Sequence, residues 1–362
     1  MTNQLPMIGF RIMQARAMRG LSLREVAALT GAAVSHNAIA RYERGEMMPG
    51  SVALAALASA LEQSVDYFFR PPRVRLLGSP RFRAKIEMDE RQNAAILGAA
   101  ADYLDRYAEV EELLDATITF NNPLADQPEV TTPEEAARQA AILRKAWNLG
   151  CDPLPNIKEL MELHGIKVFE VSVEKDHFDG LCVSTDRGPL VVVASWLNKN
   201  LLRKRMTEIH ELAHAVMKIP KDAKPEIEEK LAWGFAGEMM LPEKAFRDAF
   251  GERRTVLSVG ELIDLKKHFG ASIMAMMYRA ESLGLVEKKL ARNFWRFVKE
   301  ERWREIGREP GDEAYLGNES FSRFQKLVIS AVMEKRIGIS KGAGLLGMKI
   351  EQFNRSIGAY IS

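Results

Sequence analysis

From Asn198 to Met217 the apolar residues Leu202, Met206, Ile209, Ala213 and Val216 recur at three- and four-residue steps, the spacing that turns one face of a helix to a core. The same period predicts helices over most of the chain. A short one starts at the capping serine Ser22, with Glu25 three residues on as its capping-box partner, and a second starts at Ser35, placing Ile39 and Tyr42 on one side before Gly45 stops it. A long amphipathic helix is predicted from about Lys85 to Asp115, and Thr132 with Pro133 and Glu135 starts another that runs to Gly150. A further short helix is read around Asn156 to His164. Beyond Gly165 the texture changes to strands at Ile166 to Val173, Leu181 to Ser184 and Leu190 to Ala194, with Asp179-Gly180 and Arg187-Gly188-Pro189 as turns. Helices resume with the stretch KPEIEEKLAWGFAGEMMLP and continue to the end.

At 362 residues the chain has room for two or three domains. No apolar run approaches the ~20 residues of a membrane span and the N-terminus lacks a signal-peptide core, so a soluble cytoplasmic protein with no membrane partner is expected. Charge is unevenly placed. Residues 1 to 85 hold twelve Arg and Lys against five Asp and Glu, a balance of +7, which leaves −5 for the remainder of a chain whose net charge is +2. A polyanionic partner for the N-terminal part alone follows. The paired prolines and repeated arginines of Arg70 to Arg75 and Ser79 to Arg83 read as an exposed, extended connection. Cys151 and Cys182 are too few for a disulfide framework; two buried thiols are the favoured reading, and a thiolate closing a metal site is the speculative one.

The two N-terminal helices joined by a glycine-bearing turn form a helix-turn-helix, whose second helix can enter the major groove. The segment from about Phe10 to Phe69, with LSLREVA, Ile39 to Gly45, Pro49 and VALAALASALEQSVDYFF, resembles the XRE (Cro/C1-type) helix-turn-helix domains. Its turn, Gly31-Ala32-Ala33-Val34, is two residues longer than usual. The resemblance implies that Ser35, His36, Asn37 and Arg41 stand nearest base edges and that Arg44 holds phosphate; asparagine and arginine have the chemistry to read adenine and guanine.

Two of the six histidines, His210 and His214, are four apart in the run His210-Glu211-Leu212-Ala213-His214. On a helix they lie roughly 40° from one another around the axis and one turn apart, so both imidazoles can reach one zinc ion. Glu211, about 100° round from His210, can accept the proton of a water that the ion has acidified towards a pKa of ~7. A third protein ligand is needed, and Glu226, Glu228 and Glu229 all offer one. Periodicity does not choose: Glu229 continues the stripe of Ala232, Trp233 and Ala236, and Glu228 that of Leu231, Phe235 and Met239.

The run from about Leu154 to Gly284 is similar to the ImmA/IrrE family of zinc metallopeptidases. The likeness is carried by Ile157 to Val168 leading into Phe178-Asp179-Gly180-Leu181, by Arg203 to Glu208 leading into the histidine motif, and by Glu229 to Ala236 followed by Met239-Met240-Leu241-Pro242. In that family the glutamate three before the alanine is the third metal ligand, which here is Glu229. Trp233 stands where asparagine is usual, and Met206 where phenylalanine is common.

A mainly α chain with a small α+β part is therefore expected: an all-α DNA-binding domain over 1–71, a basic linker and connecting helix over 72–130, a zincin-like domain with a three-stranded sheet over 131–287, and a helical region over 288–362 read as a contact or homodimer surface. Together the resemblances imply a regulator that binds a double-stranded DNA operator and carries a Zn2+-dependent endopeptidase, whose protein substrate is a helix-turn-helix repressor in a stress or mobile-element response. The alternative is a repressor that senses metal or a partner through an idle peptidase-like domain. His164, His177 and His268 read as edge or structural residues, and Lys299-Glu300-Glu301-Arg302 as a solvated face.

Overall fold

Four helices build the N-terminal unit: α1 (Gln4–Met18), α2 (Leu23–Leu29), α3 (His36–Glu43) and α4 (Ser51–Ala60). The computed structural model describes residues 4–77, 89–173, 178–315, 317, 319 and 322–358; Ser79 to Arg83, Lys85 and His177 lie outside them. Ser22 caps α2 in a full capping box with Glu25, and the Ser35 hydroxyl accepts from the Ala38 amide to cap α3. Between these helices the lengthened turn is accommodated by two successive left-handed residues, Gly31 and Ala32, at φ 63° and 64°. The helices close on Ile8, Ile12, Val26, Ile39, Leu57 and Phe68. Gly9 lets α1 approach α3 closely, since a Cβ there would stand 2.2 Å from the Tyr42 carbonyl oxygen.

The segment after this unit does not hang free. Arg11 of α1 is fully buried and donates to the carbonyls of Arg70 and Pro71 at 2.8 and 3.0 Å, while its guanidinium pairs with Asp105 at 2.8 Å. Asp105 belongs to α5 (Glu90–Leu113) and also accepts from the Arg73 and Val74 amides. The connection read as exposed is thereby pinned by buried charge, and its next residues form a strand, β1 (Leu76–Leu77).

The central sheet is built from β1, β2 (Lys167–Val171), β3 (Gly180–Thr185) and β4 (Gly188–Ala194) in the order β1-β3-β4-β2. It therefore has four strands and not three. The extra strand, antiparallel to β3 through Leu76–Thr185 and Leu77–Ser184, is two residues long and too short to carry a period. β3 and β4 form an antiparallel hairpin, and β2 runs parallel to β4. Along β4, Val191 and Val193 face one core and Leu190, Val192 and Ala194 the other, so both faces are covered and the strand reads as an unbroken apolar run.

Helices α6 (Pro133–Ala146) and α7 (Ile157–Leu163) lead into the sheet, α8 (Leu201–Val216) covers its first face, and α9 (Pro225–Met240) packs on α8 and α6. The same core takes in α10 (Glu243–Phe250), α11 (Val259–Phe269), α12 (Ile273–Ser282), α13 (Lys288–Glu300) and α14 (Trp303–Ile306). The second face packs on α5, and there α15 (Arg323–Met333), α16 (Ile339–Leu346) and α17 (Ile350–Gly358) add Phe324, Val328, Leu345 and Phe353. Among the described residues no helix is long and apolar enough to cross a membrane.

Candidate metal centre and nucleic-acid interface

The first face of the sheet carries the chemistry. Asn200 caps α8, and the helix delivers His210 and Glu211 into the interior and His214 to its edge. α9 lies across it because Gly234 lets that helix touch α6: a Cβ at Gly234 would stand 2.6 Å from the Pro133 carbonyl oxygen. The crossing brings Glu229 over the two imidazoles. His210 Nε2 and His214 Nε2 are 3.3 Å apart, and the Glu229 carboxylate oxygens stand 3.4 Å from the first and 3.8 Å from the second.

These three separations test the fit of a zinc ion. A tetrahedral ion with bonds of ~2.1 Å needs donors about 3.4 Å apart, which is the edge of the tetrahedron, and nitrogen and carboxylate oxygen are donors it accepts. The triangle fits. Among the described residues, His210, His214 and Glu229 are the group of His, Cys, Asp and Glu placed to hold a metal ion. Of the three glutamates left open by periodicity, Glu226 and Glu228 do not join it, and Glu228 is buried. Neither cysteine joins it, and they are not the two buried thiols expected: Cys151 is exposed and Cys182 half-buried, with its thiol pushed above its ordinary pKa by desolvation and then by the charge of Glu211.

Glu211 is buried beside the first residue of β3, where a Cβ on Gly180 would fall 2.9 Å from Thr207 Cγ2 and 3.1 Å from Glu211 Cγ. Asp179-Gly180 is thus more than a turn. Asp179 accepts both contacts, 2.9 Å each, from Arg203 of α8, which locks the start of β3 to the motif helix. Trp233, one of the two residues that depart from the ImmA/IrrE pattern, sets its ring 4.6 Å from that of His210 and is 38% exposed.

Around α8 lies a layer of charge that no sequence period announces. Glu170 of β2 meets Lys158 of α7 at 3.1 Å and Lys204 of α8 at 3.0 Å. Burial alone would raise the Glu170 carboxyl, but the two ammonium groups and Asn198 hold it down to about 2. Glu208, one turn after Lys204 and fully buried, is pushed up to about 8 by burial, against the pull of Lys204 at 4.0 Å. Arg205 is buried as well and donates to the carbonyls of Leu154, Pro155 and Gly270, joining α8 to the segment before α7 and to the end of α11. The one available signal for this layer was the basic run Arg203-Lys204-Arg205 inside an otherwise amphipathic helix.

On the N-terminal unit, Ser35, His36, Asn37, Arg41 and Arg44 are all exposed along α3, and Ile39 and Tyr42 are buried behind them. Arg44 forms a two-pronged pair with Glu46 at 2.6 and 3.0 Å, and Arg41 stands 3.8 Å from the same carboxylate. His164, read as solvent-facing, is half-buried and stacks on Trp147 with ring centroids 4.1 Å apart, and burial lowers its pKa. His268 is exposed, with its ring against the edge of Phe269.

Comparison with protein families agrees with this division. The model of the M78 peptidases, described as the IrrE N-terminal-like domain, matches residues 161–281, and a helix-turn-helix model matches 12–68. The chain thus carries a match to each model in one polypeptide. The IrrE-like match covers β2, the motif helix α8 and Glu229, and the helix-turn-helix match covers α3 with the five exposed side chains. No curated protein matches the chain.

Proposed function

We propose that the chain is a cytoplasmic DNA-binding transcriptional regulator whose IrrE-like domain is a zinc endopeptidase that cuts a regulatory protein, a helix-turn-helix repressor, in a stress or mobile-element response. The observation that carries the reading is the convergence of His210, His214 and Glu229: the two imidazole Nε2 atoms stand 3.3 Å apart, and one Glu229 carboxylate oxygen lies 3.4 Å from the first and the other 3.8 Å from the second, near the donor spacing of a tetrahedral ion. His210, His214 and Glu229 would hold the ion, which when bound supplies Lewis acidity to water and to a peptide carbonyl. Glu211 then moves the proton: its carboxylate, buried next to His210, takes it from the attacking water and gives it to the departing amide nitrogen. Gly180 keeps the space that this carboxylate occupies. At the other end, α3 lies in the major groove with Asn37 and Arg41 at base edges and Arg44 at phosphate.

Purified protein with zinc should cut the regulator encoded beside it, and Glu211→Gln should abolish cutting while zinc, measured by competition with a chromogenic chelator, stays bound. A variant that cuts as fast as the parent ends the mechanism. The contact of Trp233 with His210 favours a second reading, in which the domain senses metal without proteolysis. That reading requires operator affinity to change with zinc while no neighbour-encoded protein is cleaved.

A further inference from the structure

Helix α13, Lys288–Glu300, buries Ala291 and packs Phe294 and Val298 into the same apolar core as α8 and α9. At ~100° per residue its opposite side gathers Lys288, Lys289, Arg292, Arg296 and Lys299 into an arc of about 100°, and all five are exposed. Four of them, Lys288, Lys289, Arg292 and Lys299, have no ion pair among the described residues, and Arg296 has Glu300 at 3.9 Å. The concentration is local: residues 288 to 304 hold seven basic against two acidic residues, inside a stretch from 86 onward whose balance is −5. At one border Arg304 donates to the Tyr278 hydroxyl and lies over the ring of Trp295 at 5.6 Å.

We propose that this face of α13 is a second DNA-contacting surface, which takes the phosphodiester backbone of a duplex without reading its bases. From Lys288 to Lys299 the stripe extends about 16 Å along the helix axis, a length over which a duplex presents roughly ten phosphates. A membrane surface fits less well, because an interfacial helix needs an apolar face and α13 has spent its own on the core. The duplex has a route to the site: DNA held by α3 is tethered to the same chain, which raises its concentration at any second cationic face. The proposal rests on the DNA-binding reading for that tether alone and requires nothing of the zinc chemistry.

The test uses the full chain and an arbitrary duplex of about three helical turns, titrated by fluorescence anisotropy over a range of salt. Replacing Lys288, Arg292, Arg296 and Lys299 together by Gln should lower the slope of log K against log salt by about 3.6, at ~0.9 per lost phosphate contact, and weaken low-salt binding at least about tenfold. In an Asn37→Ala, Arg41→Ala background the residual binding should fall by the same factor, which separates this surface from the recognition helix. If the quadruple variant does not fold, Lys288→Gln with Lys299→Gln should lower the slope by about 2. An unchanged slope in a folded variant overturns the proposal. So does competition in which polyglutamate, or anionic vesicles, bind the parent but not the variant while duplex binding is the same for both.

Discussion

Gly180 is where the two halves of the proposed active site meet. Its missing side chain leaves room for Thr207 and Glu211, so a methyl group there must displace one or both. Gly180→Ala should lower the cleavage rate by about tenfold to a hundredfold, since a shift of ~1 Å in a catalytic group costs that much, and leave zinc affinity within about threefold. Initial rates and a zinc competition titration check this together; an unaltered rate denies Gly180 the positioning role. His210, Glu211 and His214 could be read from spacing because helical geometry alone puts positions four apart on one side. Glu229 could not be chosen that way, because its reach to the imidazoles depends on how α9 crosses α8, and Gly180 read as a turn residue because its crowding comes from a helix more than twenty positions later.

At the scale of elements, Glu170 ties β2 to α7 and α8 through Lys158 and Lys204. Its folded pKa of about 2 lies below the ordinary 4.5, so the pair's contribution is full above about pH 4.5 and drains away as pH falls towards 2. Thermal unfolding followed from pH 6 to pH 2 should show the parent losing stability steeply through that window. Glu170→Gln should be less stable at neutral pH by about 2–3 kcal/mol, because Lys204 stays buried without its carboxylate, and should show a shallower acid slope. Equal slopes for the two proteins would mean the acid sensitivity lies elsewhere. The strands that carry long apolar runs were legible because burial on both faces leaves a continuous hydrophobic stretch, whereas β1, with two residues, leaves no pattern to find. The ammonium and carboxylate layer was hidden for a different reason, since its partners come from three elements and each alone looks like a solvated charge.

For the whole molecule, the pair of Arg11 and Asp105 decides how the DNA-binding unit is held. Asp105→Ala strands a buried guanidinium and frees the amides of Arg73 and Val74, which should cost about 3–5 kcal/mol. The helix-turn-helix unit should then come off α5. Trypsin should cut in the stretch Arg70 to Arg75 at least about tenfold faster, while zinc affinity is unaffected; equal cleavage rates would show that other contacts hold the unit. Nothing in the linear order pairs an arginine near the start with an aspartate ninety-four positions on, which is why the prolines and arginines between them read as a loose connection.

The order in which this chain leaves the ribosome adds a consequence. The apolar core around the candidate metal centre draws on one stretch of chain, from Leu124 to Trp303, and can gather once that stretch is made, with Glu309, Asp312 and Glu319 pairing Lys266 and Arg205 soon after. α5, made earlier, cannot: Tyr103 and Tyr107 wait for Phe324, which packs at 5.3 and 4.9 Å from them, and Arg106 waits for the carbonyl of Leu345. A chain released just after Glu319 would contain both the recognition helix and the run from His210 to His214, yet the helix between them would carry a bare apolar flank. Complete synthesis is thereby written into the seating of the DNA-binding unit, and prematurely released chains should be recognised by chaperones and proteases through α5.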